Sequence, residues 1–414
     1  MLLLARNDIE FTRQQKDLLS TLPITSSSPG TILTDFEICL NYFANNEVFL
    51  TPKKQLTLEH LSQLNSVLTN PIKLGLKRPV QKSYPHIHGL YLLCRASMLT
   101  REIPHKKKTR LVVVKTVYET WAKLTPFEKY LSLLEIWLLR GRPEILNEWG
   151  NTWRQIPDNF GKWTYFFDRI PNEGQAVAGN RDAENWAILL PEAYNFGLLN
   201  LFGFLEVSSG SLVDGKGWQI NRIARTKIGD AFMALIQTRL FSDYDVYIEI
   251  DTQDEISPGT LQPLIDDIFP KWQNFLSIPQ PKIQSGTYLF KVSLGKIWRK
   301  IAISSEDTLE NFATAIINSV DFDHDHLYEF IWHNQYMQSR SATHPYMDRS
   351  ISTTEVQIKE MRLTVNQNLQ FIFDFGDWWE FDILLENIEP ETLIGQATIV
   401  EEKGESPEQY SIWE

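Results

Sequence analysis

The 414-residue chain has only two cysteines, Cys39 and Cys94, and no long apolar run. Two cysteines are too few for a four-cysteine zinc framework. They could pair in a disulfide, but their apolar neighbours favour two small buried side chains. No window approaches the roughly 18 apolar residues that span a bilayer. The apolar start at residues 1–5 is too short for a signal peptide, so we expect a soluble, cytoplasmic protein.

Positive charge is also scarce, because 40 Lys and Arg residues stand against 52 Asp and Glu residues and leave a formal net charge of −12. That sum argues against a uniformly basic nucleic-acid coat. The charge is unevenly distributed, however. Residues 1–240 hold 29 basic and 22 acidic side chains, a net of +7, and residues 241–414 hold 11 and 30, a net of −19. Two unlike surfaces are expected, and only the first suits nucleic acid.

Apolar side chains are plentiful, since 43% of the residues are hydrophobic and 13 are Trp. This composition excludes a disordered, collagen-like or coiled-coil chain and suffices for more than one core. The stretch 277–286 has no apolar periodicity, and its two prolines favour an extended backbone. We therefore predict a first domain over residues 1–276, a linker over 277–286 and a second domain over 287–414.

The first domain is predicted to be mainly helical. Its clearest helix start is Thr125, a residue that can cap a helix, followed by Pro126 in the first turn and by Glu128, which can return a hydrogen bond to the cap. The residues after Glu128 are apolar on nearly every side of a helix. Such a helix is a buried one.

Residues 193–236 have the order helix, strand, turn, strand, helix, with which a winged-helix unit ends. Cations lie on or near this predicted wing, and a second basic cluster at 105–110 leads into another predicted strand. Short charge runs are usually solvated loops, but phosphate binding needs several cations on one face. A winged-helix unit that contacts protein instead is the alternative. The candidate nucleic-acid-binding residues are Lys106, Lys107, Lys108, Arg110, Lys216, Arg222, Arg225 and Lys227.

The second domain is predicted to be α+β, with a mostly antiparallel sheet packed on one principal helix. Asp307 is expected to cap that helix, with Glu310 three residues further on. Gly376 and Asp377 are expected to form a two-residue hairpin turn with glycine first. Apolar alternation predicts strands at residues 288–294, 297–303, 326–332 and 369–373.

Five motifs of the second domain follow one another along the chain, at residues 297–300, 308–309, 326–330, 374–380 and 404–410. These motifs resemble the plasmid pRiA4b ORF-3-like family. Two residues depart from the pattern: Trp378 stands where the family often has Asp, and Phe381 where it often has His. The resemblance implies an association with plasmids and insertion elements, and it implies no assigned molecular activity. Segments 4–13 and 75–79 are similar to longer members of the family.

A divalent-metal site is the alternative interpretation of the second domain, because imidazole and carboxylate groups suit such metals. An EF-hand loop that begins at Asp321 would need Gly at His326 and Glu at Trp332, so that motif is excluded. The simpler interpretation is a solvated acidic turn with structural hydrogen bonds from the neighbouring side chains. The candidate ligands of a freer site are His324, His326, Glu329, Asp374 and Asp377.

Signatures of common enzyme classes are missing from the sequence. It has no P-loop, no Gly-x-Ser-x-Gly elbow and no His-Glu-x-x-His helix, and Asp374-Phe375-Gly376 has no kinase catalytic loop to accompany it. His86 and His88 would share one face of a strand, but without a third ligand nearby we expect them to be structural.

The sequence therefore favours a non-enzymatic, nucleic-acid-associated or regulatory accessory protein that is linked to mobile elements and has no cofactor. The acidic second domain is expected to contact a protein partner. A metal-dependent hydrolase or nuclease and a pure protein-interaction scaffold are the two alternatives. Absent motifs lower the expectation of an enzyme without excluding one.

Overall fold

The computed structural model describes residues 10–106, 108–148, 159–177, 191–241, 255–336, 338–347 and 351–410. The chain divides into two compact units, Met1–Pro279 and Gln280–Glu414, at a point inside the segment 277–286. Among the helices of the described residues, none combines the length and the hydropathy that crossing a bilayer requires.

Helices dominate the described part of the first unit, as the sequence predicts. Its helix α6 begins as expected: the hydroxyl of Thr125 accepts the Glu128 N–H over 3.3 Å, and the Glu128 carboxylate accepts the Thr125 N–H over 2.9 Å. The helices are α1 (Arg13–Ser20), α2 (Ile32–Asn45), α3 (Leu58–Val67), α4 (Pro85–Ala96), α5 (Lys115–Trp121), α6 (Pro126–Leu139), α7 (Asn159–Asp168), α8 (Ala193–Leu201), α9 (Lys227–Ile236) and α10 (Gln262–Ile265).

Helix α6 holds the segment 255–276 with two of its acidic side chains. The carboxylate of Glu135, which is buried, accepts the N–H groups of Gly259 and Leu261 over 3.0 and 2.9 Å. The Glu128 carboxylate accepts the N–H of Asn274 over 3.1 Å. Buried carboxylates are stable only when such donors surround them. The segment therefore belongs to the core of the first unit.

The prediction of a strand at His86 and His88 is wrong, because both residues lie in α4. Pro85 occupies the first helical position, where its missing N–H is harmless and its fixed φ suits a helix. Every residue of α4 is buried. On a helix, residues two apart point about 200° from each other, so the two imidazoles do not share a face.

Two small antiparallel sheets complete the described part of the first unit. One has the order β1-β3-β2, and its β3 begins within the basic cluster and continues through the strand predicted after it. The other has the order β4-β6-β5, and its β5–β6 hairpin lies between α8 and α9. The strands are β1 (Val48–Leu50), β2 (Thr100–His105), β3 (Lys108–Val113), β4 (Gln175–Ala176), β5 (Leu205–Ser209) and β6 (Ile220–Arg225).

The second unit confirms the α+β prediction. Its eight-stranded sheet has the order β11-β10-β9-β12-β13-β7-β8-β14, and all neighbours are antiparallel except β10 and β11. Helix α11 (Leu309–Ser319) is its principal helix. The strands are β7 (Gly286–Leu294), β8 (Ile297–Ser304), β9 (Tyr328–His333), β10 (Ser339–Thr343), β11 (Ile351–Ser352), β12 (Asn368–Phe373), β13 (Trp379–Pro390) and β14 (Thr398–Lys403).

Helix α11 packs on this sheet through aromatic rings. The ring of Phe312 lies 4.7 Å from that of Phe290 on β7 and 5.6 Å from that of Phe330 on β9. The cap of α11 differs from the prediction by one residue. Thr308 caps the helix and pairs with Asn311, because the Asp307 carboxylate instead accepts the N–H of Ser304 over 3.3 Å.

The turn between β12 and β13 is longer than predicted. The strands stop at the pair Phe373–Trp379, so residues 374–378 form the connection instead of Gly376 and Asp377 alone. The Asp374 carboxylate accepts the Gly376 N–H over 2.9 Å, and this local bond gives the backbone an alternative to a tight hairpin. The positive φ angles fall on Asp374 and Trp378, at 54° and 57°.

Candidate functional site

The predicted wing cations divide into two groups. Arg222 and Arg225 on β6 are occupied, because Arg222 donates to the carbonyl oxygen of Glu173 and Arg225 donates to the side-chain oxygen of Asn172. Lys216 in the β5–β6 turn and Lys227 at the start of α9 are exposed, and neither has an ion-pair partner among the described residues. Two of the four predicted cations are therefore exposed and have no ion-pair partner in the part of the chain that the structure describes.

The second predicted basic cluster forms the tip of the β2–β3 hairpin. Lys106 lies exposed in the turn with φ of 54°, and the ammonium group of Lys108 lies 5.3 Å from the ring centroid of Phe49. Arg110 forms an ion pair of 3.4 Å with the well-exposed Glu47. Lys107 lies outside the described residues. The hairpin cations and the wing cations belong to different sheets.

Three further cations lie near the wing and were not predicted as site residues. The N–H of Gly75 donates to the carbonyl oxygen of Lys216, and the N–H of Gly215 donates to that of Gly75, each over 2.9 Å. These bonds fasten the segment 73–78 to the wing turn. A Cβ on Gly75 would lie 2.8 Å from the backbone carbon of Val213, so only glycine allows this approach.

The fastened segment brings additional positive charge to the wing. Its three basic residues are exposed and lack ion-pair partners within the described part of the chain. Lys73 and Lys77 are two residues from Gly75, within about 7 Å along an extended backbone. Arg78 is three residues away, within about 11 Å, so all three start close to the turn. A run of three cations in six residues was the available sequence signal, but nothing local linked it to the wing. We name as the wing-edge cations Lys73, Lys77, Arg78 and Lys216.

Helix α8, which precedes the wing, is buried. Asn195 accepts a hydrogen bond from Trp137 Nε1 over 2.8 Å, and Asn200 accepts one from His86 Nε2 over 2.9 Å. Burial lowers the pKa of His86, against the opposing effect of its bond to Asn200, so the imidazole is neutral and Nε2 donates. These bonds attach α8 to α4 and α6.

His88 is structural, as predicted. The side-chain oxygen of Gln81 accepts the Leu56 N–H over 2.8 Å, so the amide nitrogen of Gln81 donates to His88 Nδ1 over 3.1 Å. His88 Nε2 then donates to Glu148 over 3.2 Å. Burial opposes ionisation of Glu148, but the bonds from His88 and Lys82 outweigh it and lower the pKa of Glu148. Both imidazole nitrogens are thus engaged inside the protein.

In the second unit, His326 is the centre of the predicted metal group. Its Nε2 lies 3.5 Å from a carboxylate oxygen of Asp374, 3.5 Å from one of Asp325 and 3.4 Å from the hydroxyl of Tyr410. The phenol of Tyr410 donates to Asp325 over 3.1 Å. Burial, the bond to Asp325 and the charges of Asp325, Asp323 and Asp374 raise the pKa of Tyr410.

The other metal candidates do not gather around His326. His324 Nε2 lies 2.7 Å from the side-chain oxygen of Asn318. Glu329 is the next residue after Tyr328 on β9, so its side chain points to the sheet face opposite to that of Tyr328. Asp377 is exposed in the turn. Among the described residues, no group of three or more His, Cys, Asp or Glu side chains could hold a metal ion.

The family-like motifs of the second unit instead hold its C-terminal tail. Arg299, which is buried, donates to the carbonyl oxygen of Lys403 over 3.2 Å. The hydroxyl of Ser406 donates to Asp321 over 2.9 Å. The side chain of Gln409 accepts the Asp323 N–H over 2.6 Å. The motifs at 297–300 and 404–410 therefore meet the acidic loop in one structural network.

Residues 287–409 match the family model of the plasmid pRiA4b ORF-3-like protein. The match lies entirely within the second unit, which is therefore similar to this family. The comparison with curated proteins found no match. Among solved structures, the chain is similar to a protein of unknown function from Methanosarcina mazei Go1, with 22% identity, a TM-score of 0.27, and coverage of 30% of this chain and 72% of that one.

The two departures from the pRiA4b ORF-3-like pattern occupy different environments. Phe381 is 1% exposed, and its ring lies 5.7 Å from that of Phe371, so it belongs to the core. Trp378 is 54% exposed in the turn after β12. The resembling segment 75–79 joins the wing turn of the first unit. Of the resembling segment 4–13, residues 4–9 lie outside the described residues.

Proposed function

We propose that the protein is a non-enzymatic accessory or regulatory factor that associates with nucleic acid through its first unit. The observation that carries this proposal is the exposed, unpaired charge around a winged-helix-like arrangement. Helix α8, strand β5, a turn, strand β6 and helix α9 follow in the order of such a unit, and β4 completes its antiparallel sheet. Lys216 and Lys227 flank β6, where ammonium groups can contact phosphates.

The distribution of charge supports the first unit as the contact surface. Residues 1–240 carry 29 basic and 22 acidic side chains, whereas residues 241–414 carry 11 and 30. A phosphate backbone is attracted to the first group and repelled by the second. The family name supports a role linked to plasmids or mobile elements. The acidic second unit is proposed to contact a protein.

Salt-dependent binding by the intact chain tests the proposal. The probe is a fluorescent DNA duplex of about 30 base pairs, followed by anisotropy between about 50 and 200 mM salt. We expect the logarithm of the association constant to fall linearly with the logarithm of salt concentration, because each phosphate contact releases counterions. The double variant Lys216→Glu/Lys227→Glu should bind more weakly and with a shallower salt slope.

The matched control is Lys282→Glu/Lys296→Glu, which makes the same charge change at two exposed positions of the second unit. It should bind as the wild type does. If the intact protein does not bind at the lowest salt concentration, the proposal is wrong and the protein-interaction scaffold becomes the better interpretation. An equal loss in the control and in Lys216→Glu/Lys227→Glu would show that only net charge matters and would contradict a contact at Lys216 and Lys227.

A further inference from the structure

The helix in front of the wing has no side chain available for reading bases. In helix-turn-helix proteins the recognition helix lies in the major groove and its side chains contact base edges. The corresponding helix here is α8. All its residues are buried except the half-buried Asn200, which also donates to the carbonyl oxygen of Leu205 over 2.9 Å. Both ends of the Asn200 amide are therefore engaged inside the unit.

Helix α4 packs so closely against α8 that the backbones of the two helices approach each other directly. A Cβ on Gly89 of α4 would lie 2.6 Å from Cγ of Leu198, and a Cβ on Gly197 of α8 would lie 2.7 Å from the backbone nitrogen of His86. The two helices therefore pack against each other at Gly89 and Gly197, where neither helix has a side chain. Because protein interiors are closely packed, α8 could not contact the bases in a DNA groove unless the core around it came apart.

The wing edge, in contrast, is exposed and positively charged. The paired backbone bonds between Gly75 and the turn at Gly215 and Lys216 hold two chain segments side by side. They place the wing-edge cations on one border of the unit. Neither segment, 73–79 or 210–217, contains an aromatic residue. Single-strand sites stack bases on aromatic side chains, so this border suits the outer backbone of a duplex better.

We infer that the first unit binds duplex DNA through its phosphodiester backbone at the wing-edge cations, without inserting α8 into a groove. Binding is consequently independent of base sequence. This inference rests on the proposed function and specifies its ligand and its contact surface. Phosphate contacts fix position and supply affinity, whereas sequence is read only through base edges or DNA deformation.

The test compares two duplexes of equal length and unrelated sequence, one rich in A·T and one rich in G·C, together with a single strand. Anisotropy is measured with the intact chain and with Lys77→Glu/Arg78→Glu. We expect the two duplex affinities to agree within about threefold, since specific sites usually differ from non-specific ones by about 1,000-fold or more. The variant should weaken both duplexes by the same factor, and each lost contact should reduce the salt slope by about 0.9.

Lys282→Glu/Lys296→Glu is again the control for net charge, and circular dichroism checks that each variant is folded. Preference for one duplex by about 100-fold would overturn this inference and leave nucleic-acid association standing. If Lys77→Glu/Arg78→Glu binds as tightly as the wild type, the contact lies elsewhere. That result would also overturn this inference and leave nucleic-acid association standing. Tighter binding to the single strand than to either duplex would also overturn the inference. Failure to bind any probe would overturn the proposed function with it.

Discussion

The guanidinium group of Arg299 donates a hydrogen bond from Nε to the backbone carbonyl oxygen of Ser319 over 2.8 Å. Ser319 is the last residue of α11, and Arg299 lies in the middle of β8. The same guanidinium donates to the carbonyl oxygen of Lys403 and to the hydroxyl of Ser406, over 3.2 and 3.4 Å. One buried side chain therefore joins the principal helix, the sheet and the tail of the second unit.

Replacing Arg299 by Met should destabilise the second unit by about 2–4 kcal/mol, because the backbone carbonyl groups of Ser319, Lys403 and Trp298 each lose a hydrogen-bond donor. Arg299→Lys should recover only part of the loss, since an ammonium group cannot match the fork of a guanidinium. Urea unfolding measures the change, and hydrogen exchange at residues 398–410 shows whether the tail has loosened. Lys296→Met, in the exposed turn before β8, should stay within about 0.5 kcal/mol of wild type. Unchanged exchange in β14 of Arg299→Met would contradict the role of Arg299 as a tail anchor.

Elements with local causes could be predicted from the sequence. The capping pair of Thr125 and Glu128 determines where α6 begins, and this motif is only four residues long. Apolar alternation indicated β7, β8, β9 and β12, because each has one face on the core of the second unit. These elements depend on neighbours in sequence. Periodicity and capping residues are therefore sufficient to find them.

Elements with non-local causes were missed. His86 and His88 are predicted to be residues of a strand, but they lie in helix α4. A helix that is buried on every side has no stripe of polar residues at helical spacing by which it could be recognised. The bonds between Gly75 and Lys216 join distant segments, and no local pattern announces them. The same applies to the burial of α8. A helix-strand-strand-helix order predicts a winged-helix arrangement, but it does not tell which helix face the rest of the chain covers.

The neutral state of His86 makes the first unit sensitive to acid. Burial lowers the pKa of His86, so the unfolded chain binds a proton there more readily than the folded protein does. Its contribution to stability is complete above the unfolded pKa of about 6.5 and is lost as pH falls below that value. In His86→Gln, which keeps a neutral donor for Asn200, the loss of stability between about pH 8 and pH 5.5 should be smaller.

Urea unfolding of both proteins at the two pH values provides the measurement. At the higher pH both side chains are neutral. The difference in the free energy of unfolding between the two proteins at that pH therefore measures the effect of the substitution itself. An identical loss on acidification in wild type and in His86→Gln would contradict the prediction.

The crossing of α4 and α8 should tolerate no side chain at Gly197. A Cβ there would lie 2.7 Å from the His86 nitrogen and closer still to the carbonyl group of Pro85, and backbone atoms cannot rotate away. Gly197→Ala should therefore destabilise the protein by about 3 kcal/mol. Gly217→Ala is the matched control in the wing turn, since a Cβ at Gly217 would have no described heavy atom within 4 Å. It should change stability by about 0.5 kcal/mol or less.

Thermal unfolding measures both substitutions, and DNA anisotropy below the transition links them to function. Because α8 is buried and the wing-edge cations lie elsewhere, folded Gly197→Ala should bind duplex DNA as tightly as wild type. A stable Gly197→Ala would mean that the two helices are not packed at backbone distance. A folded variant with weakened DNA binding would mean that the geometry of α8, and not the wing edge alone, determines the contact.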